Sequence, residues 1–399
     1  MIDPADGLIL TINCGSSSLK AALFRAGGAE ALVARGQLDR IGLRGGRFRA
    51  EDDQGNSLTD RALDLPDHQA ALHALFDWLR ERHGGAVRAV GHRVVQGGPR
   101  YRAPQRVTPE MLAELRRLIP FDPMHLPAQI RAIEAVAERN PQLPQVACFD
   151  TAFHHTLPQE ARLFALPRRY AEQGIYRYGF HGLSYEYIVE ELGKGRCDAS
   201  GPERVIIAHL GNGASMAAVR CGTCIDTTMG LTPTGGLVMG TRSGDLDPGV
   251  LLYLLRQERL TPDQLAATVN DEGGLRGLSG VSSDMRELLQ RAPSEPSAAL
   301  AVEIFCYQAR KFIGALTAAL GGLDLLVFTA GIGERAPQVR ETICARLDWL
   351  GVRLDVKRNA GNEEVISADD SRVRVQVMKT NEELMIARHT ARVLAGQGA

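Results

Sequence analysis

The sequence predicts an α/β protein built from two duplicated halves, and three observations carry that reading. The segment "LTINCGSSSLKAAL" at 10–23 aligns without a gap on "IIAHLGNGASMAAV" at 206–219, with Gly15 over Gly211 and Ala21-Ala22 over Ala217-Ala218. Short apolar runs of strand length alternate with longer segments of helical spacing in both halves. A third glycine turn, "TAGIGERAP" at 329–337, follows an apolar run and ends at Pro337, a residue type suited to opening a helix. A unit repeated once across half the chain points to two related domains, not to the short period of a solenoid.

The opening stretch reads as strand, small-residue turn and strand. A turn of Gly15, Ser16, Ser17 and Ser18 either cradles an anion with backbone N–H groups and hydroxyls or simply closes a hairpin, and the stretch alone leaves both open. It is not a P-loop, which needs a second glycine and a Lys-Ser/Thr pair, whereas Lys20 is followed by Ala21, Ala22 and Leu23. Helical spacing marks 67–82, 109–119 and 127–139, and "VRAVGHRVV" and "QVACFD" read as strands between them. The second half repeats the hairpin, joins "MAAVR" to "CIDTT" through a turn at Gly222-Thr223, and adds helices "PGVLLYLLRQE" and "AALAVEIFCYQARKFIGALTAAL" and strand "DLLVF".

Mixed strands and helices in two halves imply ligand held in a cleft between domains. The glycine turn at 329–337 is expected to set backbone N–H groups and a helix starting at Pro337 against a nucleotide. Two glycine hairpins plus a strand-Gly-helix loop are the pattern by which actin-like, hexokinase-like ATPases clamp ATP. Gly15–Lys20 and Gly211–Ser215 are then expected on the phosphates from two sides.

Bulk properties narrow the partners. With 44% hydrophobic and 23% charged residues and a formal net charge of -1, the chain reads as a soluble globular protein with no basic surplus for a nucleic-acid backbone or an anionic membrane. Asp3 and Asp6 precede a short first apolar run, so neither a signal peptide nor a transmembrane helix is expected, and the reading is cytoplasmic. Seven cysteines, an odd count, fit reduced thiols better than a disulfide framework. Cys221 and Cys224 have redox or zinc spacing, but no second pair accompanies them and the segment reads as a hairpin.

Polar residues at strand ends beside glycines are the candidates for chemistry: His92 and Arg93 in "GHRVVQGG", Asp150 in "CFDTAFHHT", His181 in "YRYGFHG" and Arg242 in "MGTRSGDLDPG". Asp245 and Asp247 invite a metal reading, yet Asp247 directly before Pro248 and an apolar-periodic segment is accounted for as a helix N-cap. His154 and His155 are adjacent, and side chains at i and i+1 diverge, which makes a shared metal improbable.

Nearly the whole chain resembles the acetate kinase family of ATP-dependent carboxylate kinases, whose signature segments are similar to "INCGSSSLK" and "YRYGFHGLSYEYI". The resemblance implies a duplicated actin-like, ribonuclease H-like two-domain kinase fold with ATP in the interdomain cleft. The expected domains are 1–150, completed by a C-terminal helix at 384–399, and 151–383. It implies a homodimer in the cytoplasm, ATP/ADP as co-substrate and Mg²⁺ or Mn²⁺ as metal. By the same resemblance Asn13 and Glu382 hold the metal and Lys20 meets ATP phosphate. His209, Leu210, Gly211, Asn212 and Gly213, then Asp284, Met285 and Arg286, then Gly331, Ile332, Gly333, Glu334 and Arg335 cradle the nucleotide. Arg93 binds the substrate carboxylate beside Val95, Met124, Phe180 and Pro233, with Asp150 at the reacting centre and His181 and Arg242 stabilising the transition state.

Physical chemistry makes the implied roles coherent. Joining a carboxylate to the γ-phosphate of ATP brings two anions together, so permanently charged arginines must be placed before chemistry begins. Acetate is already deprotonated near neutral pH, so Asp150 is expected to orient charge and not to remove a proton. The chain departs from the family pattern near the acid pocket. It has "PMHLP" at 123–127 for the usual "PLHNP", Tyr185 for a histidine and Thr234-Gly235 for Leu-Glu. Propionate or a longer acid therefore stands as the alternative substrate, and an actin-like ATPase switch as the alternative of another class.

Overall fold

A computed structural model describes residues 7–15, 17–26, 31–83, 86–193 and 203–396, so Ser16 of the opening turn lies outside the described residues. The chain divides into two compact units, 1–153 with 381–399, and 154–380.

The first unit opens on β1 (Leu8–Cys14) and β2 (Ser18–Arg25), antiparallel with Asn13 opposite Lys20. The hairpin continues through β3 (Leu32–Asp39), β4 (Arg47–Asp52) and β5 (Ser57–Ala62). After α1 (His68–His83) the chain enters β6 (Val87–Val94), which lies parallel to β1. The short β7 (Gln105–Arg106), α2 (Pro109–Arg117) and α3 (Leu126–Arg139) lead to β8 (Gln145–Phe149), parallel to β6. The sheet order is β5-β4-β3-β2-β1-β6-β8-β7. Its parallel centre is buried on both faces, which is why β8 reads as a continuous apolar run. One face carries a core that includes Leu10, Ile12, Phe48, Leu75 and Trp78.

The other face is covered by the helix Glu382–Leu394, which packs on β1, β6 and β8. It sits so close that a Cβ on Gly91 of β6 would come 2.2 Å from Thr390 Oγ1 and 2.6 Å from Ile386 Cγ2. Glycine there is a packing requirement, and it sets how near the helix and its first residue, Glu382, approach the sheet.

The second unit repeats the plan with β9 (Arg204–Leu210), β10 (Ala214–Arg220), β11 (Thr223–Thr227), β12 (Leu325–Thr329) and β13 (Arg374–Val377) in the order β11-β10-β9-β12-β13. As in the first unit, the opening hairpin is antiparallel and the next two strands add in parallel to its first strand. The helix Pro296–Leu320 packs against β9, β10 and β11.

Two local expectations are corrected. The turn joining β10 to β11 is Cys221-Gly222, one residue earlier than read, and both residues have positive φ (49° and 75°), the primed geometry that matches strand twist. After β12 the helix starts at Ala330 and runs to Arg335, and a second begins at Pro337, so the third glycine segment is helical and not an open loop. Glu334 Oε1 accepts from Ala330 N at 3.0 Å within the helix, and contacts from outside it offset its two glycines: the same oxygen accepts from Thr380 N at 3.2 Å, and the buried Arg340 donates to Gly333 O at 2.8 Å.

Candidate active site

Arg93 stands near the end of β6 and Asp150 directly after β8, neighbouring parallel strands, so the topology brings together residues separated by two helices. Arg93 Nε lies 3.1 Å from both Asp150 carboxylate oxygens, and Nη2 donates to Oδ2 at 2.5 Å. Arg93 Nη1 donates to Asn13 Oδ1 at 3.2 Å, and Glu382 Oε2 lies 3.8 Å from Arg93 Nε. Four candidates from β1, β6, β8 and the far C-terminal helix thus share one cluster in the first unit.

Asp150 is fully buried and Arg93 is 18% exposed. Burial disfavours the guanidinium charge, but the carboxylates of Asp150 and Glu382 outweigh it and hold the Arg93 pKa above its ordinary value. One arginine faces two carboxylates and an amide oxygen, so the local oxygen donors carry an excess of negative charge. Among the described residues no three His, Cys, Asp or Glu side chains are grouped to hold a metal by themselves.

His92, the neighbour of Arg93, points elsewhere. Its Nε2 donates to Gln145 Oε1 at 2.7 Å, and burial lowers its pKa to about 4, so it is a neutral core residue. Lys20 is exposed on β2, and its register opposite Asn13 puts the two side chains on one face of the hairpin. The turn itself is closed by Gly15 N donating to Ser18 O at 2.8 Å and is braced by His68 Nε2 donating to Gly15 O at 2.8 Å. His68, remote in sequence, carries no local signal of that task. Val95 is buried, its N–H bonded to Gln129 Oε1 at 3.0 Å, and Met124 is half-buried.

In the second unit His181 has φ 59° at the N-terminus of the helix Gly182–Glu191. Left-handed backbone at a non-glycine residue is a strained conformation that the surroundings must hold in place. His181 Nδ1 lies 2.8 Å from Ser215 Oγ, Tyr185 Oη is hydrogen-bonded to the same oxygen, and His209 stacks on His181 with centroids 4.1 Å apart. His209 Nδ1 lies 2.8 Å from Ser184 Oγ. Gly213 packs against this group: a Cβ there would be 3.3 Å from His181 Nε2 and 3.6 Å from Arg242 Nη1, so both nitrogens lie beside the Gly213 backbone. Arg242 Nη1 also donates to Pro233 O at 3.0 Å. Phe180 is buried and its carbonyl accepts from His154 Nε2 at 3.0 Å.

The other nucleotide candidates divide by environment. Leu210 is core, Gly211 N closes a turn on Gly213 O, and Asn212 is exposed with its carbonyl bonded to Gly240 N at 2.9 Å. Asp284 caps the helix Met285–Arg291, Met285 is buried, and Arg286 is exposed. Gly331, Ile332 and Arg335 lie on the short helix after β12, whose buried residues are Ala330 and Gly333.

Residues weighed as metal pairs have structural occupations. Asp247 caps the helix Pro248–Arg256, Asp245 Oδ1 accepts from Gly236 N at 2.7 Å, and His154 Nδ1 contacts Cys224 Sγ while His155 is exposed. Cys224 is a buried free thiol whose pKa burial pushes up, whereas Cys221 is disulfide-bonded. The two are therefore not joined to each other.

Two sheets that share a five-strand order, β3-β2-β1-β6-β8 in one and β11-β10-β9-β12-β13 in the other, each opening on a glycine hairpin, define a duplicated fold of the actin-like ATPase type. The family model described as the acetokinase family matches residues 8–388, and the chain belongs to that family. It is 46% identical to an acetate kinase of Rhodopseudomonas palustris over 98% of this chain and 99% of that protein. Among solved structures it is similar to the acetate kinase of Porphyromonas gingivalis (37% identity, TM-score 0.86, covering 97% of this chain and all of that one). A propionate kinase of Francisella tularensis superposes with TM-score 0.90 at 36% identity, covering 97% and 100% of the two chains.

Proposed function

We propose that this chain transfers the γ-phosphoryl group of ATP to the carboxylate of acetate, reversibly giving acetyl phosphate and ADP. The carrying observation is Arg93, a partly exposed guanidinium locked by Asp150 and Asn13 in a member of the acetokinase family. An acetate oxygen attacks Pγ as the bond from Pγ to the bridging oxygen of ADP breaks, and no proton need leave the nucleophile. Arg93 binds and orients the carboxylate, while Asp150 fixes Arg93. Arg242 and His181 Nε2 supply donors to phosphoryl oxygens, on which negative charge spreads in transfer.

Asn13 and Glu382 are the residues we assign to Mg²⁺. Their hard oxygen donors and the local excess of negative charge suit an ion that keeps several waters and binds through one or two carboxylates plus phosphate. When bound, that ion neutralises phosphate charge. Lys20, opposite Asn13, is assigned to the same phosphates.

The test is trapping of acyl phosphate with hydroxylamine in a purified assay containing MgATP and acetate, propionate or butyrate in turn. Acetate should give the highest kcat/KM. Hydroxamate forming faster from propionate would establish the second reading, with which the similarity to the Francisella propionate kinase is compatible. ATP hydrolysis without hydroxamate would refute both. We assign the working form to a homodimer in the cytoplasm, where ATP is made and used. The helix Pro248–Arg256 buries none of its residues and exposes Val250, Leu252 and Tyr253, an apolar face we assign to the second copy. Sedimentation of Val250→Lys/Tyr253→Lys as a monomer would support that assignment, and an unchanged dimer would refute it.

A further inference from the structure

Arg242 is tied to the fold along a path that closes on itself. Its Nη1 donates to the carbonyl of the buried Pro233 at 3.0 Å. Pro233 is followed in the chain by Thr234, whose Oγ1 donates to Asn270 Oδ1 at 2.5 Å. Asn270 O accepts from Thr241 Oγ1 at 2.7 Å, and Thr241 is followed by Arg242 itself. Asn270 is the last residue of the helix Pro262–Asn270, whose first turn is fixed by a capping box of Thr261 and Gln264. Its Nδ2 donates to Ala266 O at 2.9 Å, so Oδ1 is the amide atom that meets Thr234, and the hydroxyl must be the donor there. Ser243 N donates to Val269 O at 2.9 Å, which ties the backbone to the same helix end on the other side of Arg242.

Thr234-Gly235 is also where this chain departs from the Leu-Glu of the family pattern. Leucine has no hydrogen to give Asn270, so the Thr234 link belongs to this chain's own sequence. Gly235 serves the same loop: a Cβ there would be 3.2 Å from Asp245 Oδ1, the atom that accepts from Gly236 N at 2.7 Å. Asp245 N donates back to Gly236 O at 2.9 Å. The two departures thus brace one turn, Thr234 toward the helix and Gly235 by leaving room for Asp245.

We infer that Thr234 and Asn270 are positioning residues for Arg242, fixing Pro233 O so that one N–H of the guanidinium is anchored and its plane is aimed before phosphate arrives. The anchor uses one of five N–H donors, which leaves the planar group able to meet other acceptors at the same time. A long side chain gives up rotamer freedom when it is ordered, and an anchor built into the fold meets that cost ahead of the transition state.

The effect on turnover rests on the function proposed above, but the bracing is measurable without it. In the full chain labelled with ¹⁵N-arginine, the Nε–Hε signal of Arg242, identified by its loss in Arg242→Ala, should show restricted motion by relaxation. Thr234→Val keeps the shape and removes the hydroxyl, and should increase that motion, whereas Thr234→Ser should not. Thr234→Val should lower kcat about fivefold, the scale of one lost hydrogen bond, with KM for MgATP unchanged, and Thr234→Ser should keep most of the rate. In Arg242→Ala protein the same Thr234→Val change should bring no further loss, because a residue that acts through Arg242 has nothing left to act on. Asn270→Ala should follow Thr234→Val in both backgrounds and serves if Thr234→Val folds poorly. An equal loss in both backgrounds would show a general effect on the fold and overturn the inference, as would Arg242 motion and kcat both unaltered by Thr234→Val. Restricted Arg242 motion that Thr234→Val releases, in a protein that makes no acyl phosphate, would uphold the bracing and refute the proposed reaction.

Discussion

Replacing Asp150 by asparagine tests whether this carboxylate orients charge or moves a proton. The side chain keeps its size and one acceptor oxygen, but its NH₂ now confronts the N–H groups of Arg93, which met Asp150 oxygens at 2.5 to 3.1 Å. Removing one partner of a buried ion pair costs about 3–5 kcal/mol. Arg93 is 18% exposed and Glu382 remains 3.8 Å away, which places the loss near the lower end, about 3 kcal/mol. For a unit of this size that is a fall in melting temperature of about 6–12 °C. Scanning calorimetry of both proteins measures it, with the transition of the first unit expected to move. Activity should fall by about 10² or more at every pH from about 5 to 9, and imidazole or azide should not restore it. An ionisation present in wild type, absent from Asp150→Asn and replaced by added base would show proton transfer. An unmoved transition would show that Asp150 does not hold Arg93.

Arg93→Ala and Arg242→Ala should each lower kcat by about 10²–10³ in folded protein, and Arg93→Ala should raise KM for acetate the more; steady-state kinetics decide. Gly213→Ala sets a methyl 3.3 Å from His181 Nε2 and 3.6 Å from Arg242 Nη1, and should cut kcat at least tenfold with an unchanged circular dichroism spectrum. Lys20→Ala and Asn13→Ala should weaken use of MgATP more than use of acetate, and the reverse pattern in the two KM values would place the hairpin against the other substrate. His92 and His154, lowered by burial from 6.5 to about 4, stay neutral in the folded state while the unfolded chain binds protons below 6.5. Their contribution is therefore complete above pH 6.5 and disappears as pH falls to 4, at most about 3 kcal/mol each. Urea midpoints across that range should drop, and less steeply in His92→Gln.

Arg93 and Asp150 were legible because each is a charged residue at the end of an apolar run, and parallel pairing of those runs then brings the two together. The duplicated hairpin was legible because its signal is local, period-two apolar residues closed by a glycine. Ser184 gave no such signal, and Tyr185 and Ser215, met only as a departure from the family pattern and as the end of a glycine hairpin, showed nothing of their hydrogen bonds. Those bonds form only when the helix after His181 packs beside β9. The segment 330–335 misled for the opposite reason: two glycines in six residues read as a loop, and what makes it helical is Glu334 reaching Thr380 and Arg340 reaching Gly333, contacts that local propensity does not contain. Glu382 was placed by resemblance alone, since nothing near it in sequence announces a partner on β6.

The helix that carries Glu382 closes the first sheet from the end of the chain, after the whole second unit has intervened. Synthesis on a ribosome runs in one direction, so the first sheet emerges with its apolar β1, β6 and β8 uncovered and waits through the translation of the second unit. The interval is an opportunity for chaperones or for mispairing. The same delay acts as a checkpoint: a nascent chain cannot present Arg93 with its full set of carboxylates until the helix Glu382–Leu394 has been made, and translation that stops short of it leaves the cluster without Glu382.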